Sequence, residues 1–166
     1  MDMEKTVDTG RANPTYSDYL SFGFVPLPCK GYALKYNSGK DYKTAKEPAM
    51  SGWNKPGYSP PTLQKIAAWE KAGGWIGWKI PEGVHAIDVE DPQAIARVRA
   101  LCQALGIEPA IHVTNNGLHF LFRNDIDLPG DSGMFTKCGL KVTYRSGGKN
   151  YLILAPTAGR RWEVWR

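Results

Sequence analysis

At 166 residues the chain is long enough for one domain with a substantial core and short for two. Its 42% hydrophobic and 22% charged residues are those of a globular protein rather than a disordered one, and a formal charge of +5 is compatible with a polyanionic partner. No apolar run approaches the roughly 20 residues needed to cross a bilayer, and the polar start "MDMEKTVDTGR" does not resemble a secretory leader, so a cytoplasmic protein without membrane contact is expected.

Residues 1–12 read as a flexible N-terminal segment and 13–166 as the domain. "NPTYSDYLSFGF" predicts a short helix over 14–21 that stops at Gly23 and leads into the strand "FVPLP". Residues 30–58 lack periodicity and read as a long loop with a short strand near 33–36; loops of that length in compact domains are often functional. "SPPTLQKIAAWEKAGG" predicts a helix with Ser59 as its cap and Leu63, Ile66, Ala67 and Trp69 as its apolar positions. "WIGWKIP" and "VHAIDVE" follow as strands. Asp91 and Pro92 then have the character of an N-cap and first helical position, opening a helix with Ile95, Val98, Leu101, Cys102 and Leu105 toward a sheet. "AIHVT" and "LHFLF" flank an "NNG" turn and form a hairpin; "LKVTYR", "YLILAP" and "RWEVW" complete the strands. The expected class is α+β, with helices packed on a largely antiparallel sheet. Cys29, Cys102 and Cys138 are widely spaced and odd in number, and read as reduced thiols rather than zinc ligands or disulfides.

The stretch "HAIDVED" concentrates Asp88, Glu90 and Asp91 at the end of an apolar run. Side chains of a strand alternate, so Asp88 and Glu90 project together while His85, Ile87 and Val89 point the other way. With Asp91 assigned to the helix cap, two like charges are left that divalent cations could hold together; acids at a frayed strand end are the plainer alternative. His119 follows the glycine turn and could donate to a phosphate oxygen, or serve only as a structural strand histidine. Asn116 and Gly117 are accounted for equally by turn chemistry. Lys30, Lys35, Lys40, Lys43, Lys46 and Lys55 alternate with Tyr32, Tyr36, Tyr42, Trp53 and Tyr58, a pattern that suits single-stranded nucleic acid or nucleotides unless the rings fold back onto the core. Arg145, on one strand face with Lys141 and Thr143, and Lys149 in the following glycine turn could meet a triphosphate, or be an ordinary edge-strand charge and an ordinary hairpin turn.

The order of these pieces resembles the bifunctional primase-polymerase (prim-pol) family of the archaeo-eukaryotic primase superfamily, found in plasmid and phage replication proteins. The similarity runs from about Asn13 to Trp165. It takes in the Tyr-rich helix leading to "GFVPLP", Lys46 and Pro48 of "KEP", Trp53 of "GW", the acidic "IDVED", the T-x-x-G-x-H of "TNNGLHFLF" and the late "YRSGGKNYLILAPT". The resemblance implies a divergent RNA-recognition-like core with a smaller α/β half that completes a nucleotide cleft. It implies Asp88, Glu90 and His119 as catalytic residues, with Asp88 and Glu90 binding Mg2+ or Mn2+. Lys46, Asn116, Gly117, His119, Arg145 and Lys149 would contact nucleoside triphosphates.

The implied reaction is DNA primase and polymerase chemistry on a single-stranded DNA template or primer-template, in partnership with a replicative helicase. Two departures stand out: Thr143 occupies the position where the family usually carries a third acid, unless Asp127 or Asp131 supplies one, and "WIGW" stands where an asparagine is frequent. The first keeps open an alternative, a non-catalytic nucleotide or single-stranded DNA binding module serving a helicase. A replication-initiator nuclease is disfavoured because "NGLHFL" contains a single histidine.

Overall fold

The computed structural model describes residues 13–31, 42–123, 134–135 and 139–165. Among the described residues, two antiparallel sheets and four α-helices make an α+β fold. The smaller sheet has the order β1 (Val25–Cys29), β2 (Trp75–Lys79), β8 (Tyr151–Ile153). The larger has the order β6 (Met134–Phe135), β7 (Val142–Ser146), β3 (Val84–Val89), β5 (Leu118–Arg123), β4 (Ala110–Val113), β9 (Arg161–Val164).

β3 and β4 both run antiparallel to β5, so they are parallel to each other. Helix α4 (Pro92–Ala104) connects them, and β5 lies between: a split β-α-β unit at the centre of the fold. Asp91 caps α4, its carboxylate accepting from the Ala94 N–H at 2.7 Å, and Pro92 takes the first helical position as expected. The buried stripe of α4 is Ala94, Val98 and Cys102. Leu101 and Leu105, expected to face the sheet, are 50% and 68% exposed. The three buried positions recur every four residues and form a narrow stripe that leaves both leucines on its flank.

Sheet alternation sorts the core into layers. Ile87, Val89, Leu118, Phe120 and Val142 meet α4 on one face of the larger sheet. On the other face Val84, Ala86 and Leu121 pack against Ile76, Trp78 and Leu152 of the smaller sheet, with Tyr19 of α1 (Tyr16–Ser21) wedged beside Trp78 at a ring separation of 4.5 Å. Both faces of β5 are therefore buried, not only the side carrying Leu118 and Phe120. Helix α1 opens with a capping box in which Thr15 and Asp18 satisfy each other's backbone N–H groups, so it begins after Pro14.

Several expectations need correction. Residues 30–58 are not one loop: helix α2 (Tyr42–Lys46) lies within them, and Pro48 bridges to Cys29. Trp53 and Tyr58 fold back onto a third core cluster around Leu27, Cys29 and Trp75, so these rings are not held out as a base-stacking platform. Helix α3 (Leu63–Lys71) is capped by Thr62 rather than Ser59, and only Ile66 of its apolar positions is fully buried. Cys29 and Cys102 are free and buried. Residues 1–12, the strand expected near 33–36, Tyr32, Lys35, Tyr36, Lys40, Asp127, Asp131 and Cys138 lie outside the described residues. No helix among the described residues is long and apolar enough to cross a membrane.

Candidate nucleotide cleft

The register of the larger sheet aligns Thr143, Asp88, His119, His112 and Trp162 across β7, β3, β5, β4 and β9. Directly opposed residues of antiparallel strands share a face. This polar row lies on the face that carries Val84, Ala86 and Leu121 toward the smaller sheet, beyond the point where the apolar contact ends. A cleft opens there. Lys46, Asp88, Glu90, Asn116, His119 and Arg145 line it, and Thr114, Tyr151 and Arg160 complete its polar wall.

Asp88 is the hub of the row. Oδ1 lies 3.5 Å from His119 Nε2, and Oδ2 lies 3.6 Å from an Arg145 guanidinium nitrogen. Burial by itself would raise the Asp88 pKa. The hydrogen bond from His119, with the charges of Arg145 and Lys46, outweighs it and holds the carboxyl below its ordinary range. Glu90 follows the last residue of β3, is exposed, and lines the same cleft. Arg145 Nε is buried without a hydrogen-bond partner among the described residues.

Lys46 reaches the cleft from the end of α2, where its carbonyl accepts from the Tyr151 hydroxyl at 2.8 Å. Burial lowers its pKa, and so do Arg160 and Arg145, while Asp88 and Glu90 act in the opposite sense. Arg160 is 4% exposed, lies over the Trp75 ring at 5.6 Å, and was not singled out by sequence. Its only signal there was a basic pair after the glycine of "TAGRR", which is ordinary for a turn.

The turn over 114–117 is fixed from within. Thr114 Oγ1 accepts from the Gly117 N–H at 2.9 Å, and the Thr114 N–H donates to the Gly117 carbonyl at 2.9 Å. A Cβ on Gly117 would stand 2.0 Å from the Val89 carbonyl oxygen and 2.7 Å from Glu90 Cα. The glycine thus lets the turn lie against the very end of β3 where the acids emerge. Asn116 is exposed at the rim. Lys149 is not brought to the cleft. It is exposed in the turn that packs on the connection between β2 and β3, beside the start of β3 rather than its acidic end.

A larger cavity, about 580 Å3, lies at the opposite end of the inter-sheet layer and is lined by Phe22, Phe24, Leu121, Phe122, Trp162 and Trp165. Convergent polar groups distinguish a reaction site from an apolar hollow, and they are concentrated in the smaller cleft.

An inter-sheet cleft sets a strand-end acid pair against a histidine hairpin and several cations, within an α+β domain. The chain belongs to the Prim-Pol family (bifunctional DNA primase/polymerase, N-terminal), which it matches over residues 17–165. Membership carries a DNA primase/polymerase-type function, nucleotidyltransferase activity at the family level, general dependence on metal ions, and action on DNA and nucleotides. No individual curated protein matches the chain.

Proposed function

We propose that the cleft catalyses metal-dependent nucleotidyl transfer on a single-stranded DNA template or primer-template, in plasmid or phage replication beside a helicase. The observation that carries this reading is the convergence of Asp88, Glu90, His119, Arg145 and Lys46 in one cleft from four separate elements of the fold.

The donor set fits Mg2+ or Mn2+. Two carboxylates on one face supply hard oxygen ligands, and Mg2+ is commonly held by one or two carboxylates together with substrate phosphates. No group of three or more histidine, cysteine or acidic side chains that could hold a metal ion forms among the described residues. Asp88 and Glu90 would hold the ions, which supply charge stabilisation to the attacking and leaving oxygens of an in-line displacement at phosphorus.

The chain's own residues do the rest. Arg145 and Lys46 neutralise the triphosphate, and Arg160 adds a fixed positive charge at the cleft wall. His119 directs an N–H toward a phosphate oxygen. Asn116 borders the opening on the hairpin side.

The direct experiment mixes the purified protein with primed single-stranded DNA, labelled nucleotides and Mg2+ or Mn2+, alongside Asp88→Ala and Glu90→Ala. Extension by the parent and none by either folded variant is expected; full activity in both variants would sink the reading. Thr143, in place of the family's usual third acid, favours one alternative, a nucleotide or single-stranded DNA binding module serving a helicase. Metal-independent binding by a parent that makes no product would establish that alternative instead.

A further inference from the structure

His112 has no role in the reading above, yet it is completely buried on β4 and stands directly opposite His119 on β5. Its Nε2 accepts a hydrogen bond from the Ala155 backbone N–H at 2.9 Å. A ring nitrogen that accepts carries no proton, so the single proton of a neutral His112 sits on Nδ1. Burial above all, with the fixed charge of Arg160 acting in the same sense, pushes the His112 pKa well below the ordinary value, in line with a neutral ring that accepts at Nε2.

His112 Nδ1 lies 3.3 Å from His119 Nδ1, and the two ring planes are within 17° of each other. Two nitrogens at that separation need one donor and one acceptor. His112 provides the donor, so His119 Nδ1 accepts and the His119 proton resides on Nε2. That is the nitrogen facing the cleft, 3.5 Å from Asp88 Oδ1. The opposite tautomer would aim a lone pair at a carboxylate and at any phosphate bound beside it.

The relay is anchored at its far end. The Ala155 carbonyl accepts from the Tyr19 hydroxyl at 2.6 Å, and that hydroxyl accepts from Trp162 Nε1 at 2.7 Å. The Trp162 ring in turn packs edge-on against His112 at a centroid distance of 4.8 Å. Both polar backbone groups of Ala155 are thereby held, and the His112 ring has one orientation available to it.

We propose that His112 is a positioning residue that locks His119 in its Nε2–H tautomer and ring orientation, presenting an N–H donor to a triphosphate oxygen; the second half of this statement rests on the function proposed above. Sequence offered no clue, because a histidine inside "AIHVT" differs from its apolar neighbours only once its cross-strand partner is known.

Long-range nitrogen–proton correlation spectra of the full chain without nucleotide read both tautomers directly. A proton on His112 Nδ1 and on His119 Nε2 is expected; a His119 proton on Nδ1 overturns the proposal without any variant. These spectra do not depend on turnover, so failure of the relay is distinguishable from failure of the polymerase reading. A second arm compares His112→Phe, which keeps a ring against Trp162 without its hydrogen bonds, with His112→Asn, whose amide places a donor near the Nδ1 position. Loss of one oriented hydrogen bond predicts a roughly tenfold weaker nucleoside triphosphate affinity in His112→Phe, mixed His119 tautomers, and recovery of most of the affinity in His112→Asn. A folded His112→Phe that retains the single His119 tautomer and parental affinity would overturn the assignment.

Discussion

Thr143 stands directly opposite Asp88 on the β7–β3 ladder, with both side chains on the face that opens into the cleft. Cβ atoms of such a pair are about 4.5–5.5 Å apart, close enough for a carboxylate at 143 to share an ion with Asp88. A Thr143→Asp variant therefore places two like charges side by side. Without metal it should lose up to about 1 kcal/mol of stability from that repulsion. With Mn2+ or Mg2+ it should gain more than the parent does, since an ion that binds only the folded state stabilises in proportion to its affinity there. Thermal unfolding with chelator and with millimolar metal checks both halves. Equal metal-induced shifts in the two proteins would show that position 143 does not reach the ion.

Lys46 and Arg145 approach the cleft from different elements, one from helix α2 and one from β7 of the larger sheet. If both meet the triphosphate, Lys46→Ala and Arg145→Ala should each raise the KM for nucleotide roughly 10- to 100-fold, the scale of a hydrogen bond to a charged group. Lys149→Ala, on the exposed turn beside the start of β3, should leave KM unchanged. Steady-state extension with varied nucleotide separates the three. An effect of Lys149→Ala as large as that of Lys46→Ala would mean that the nucleotide extends well beyond this cleft.

Much of the candidate site's arrangement follows from local features of the sequence. Strand alternation alone put Asp88 and Glu90 together, and the "NNG" turn marked the hairpin that carries His119. The Asp-Pro pair fixed the start of α4 and removed Asp91 from the candidate site. What could not be read locally depended on contacts between distant segments. Trp53 and Tyr58 look like stacking residues until Tyr151 and Pro26 are brought beside them, whereupon one packs edge-on at 5.0 Å and the other donates to a backbone carbonyl at 3.1 Å. Arg160 and His112 likewise become part of the site only through folding of the C-terminal strands over β2 and β4. Helix α2 is too short to show a period.

Gly117 supplies a steric test of how closely the hairpin must sit against the acids. A methyl group there would overlap the Val89 carbonyl oxygen, and both of its nearest neighbours are backbone atoms with no rotamer to change. Gly117→Ala should cost about 1–3 kcal/mol in denaturant unfolding, the range for forced overpacking. Because relief requires the turn and the end of β3 to separate, nucleotide incorporation should fall more than the stability loss alone explains at temperatures where the variant is fully folded. Asn116→Ala, at the exposed rim, should leave stability within about 0.5 kcal/mol of the parent. A Gly117→Ala protein with parental stability would show that the hairpin and β3 are not in such tight contact.

Buried His112 also gives the fold a dependence on pH whose sign is fixed. Its pKa is lowered well below 6.5 in the folded protein and returns to about that value on unfolding. Between the two values the unfolded chain binds a proton that the folded one refuses, so stability contributed by the neutral ring is complete above pH 6.5 and declines as the pH falls through the interval. Within it the decline approaches about 1.4 kcal/mol per pH unit for this one group. Charging the ring would bury a charge, set it against Arg160 and break its acceptance from Ala155. His112→Phe should lower stability at neutral pH, through the unsatisfied Ala155 N–H, yet flatten the slope below pH 6.5. Denaturant unfolding at several pH values measures the difference between the two proteins. Parallel curves would mean that His112 is protonated as readily in the folded chain as in the unfolded one.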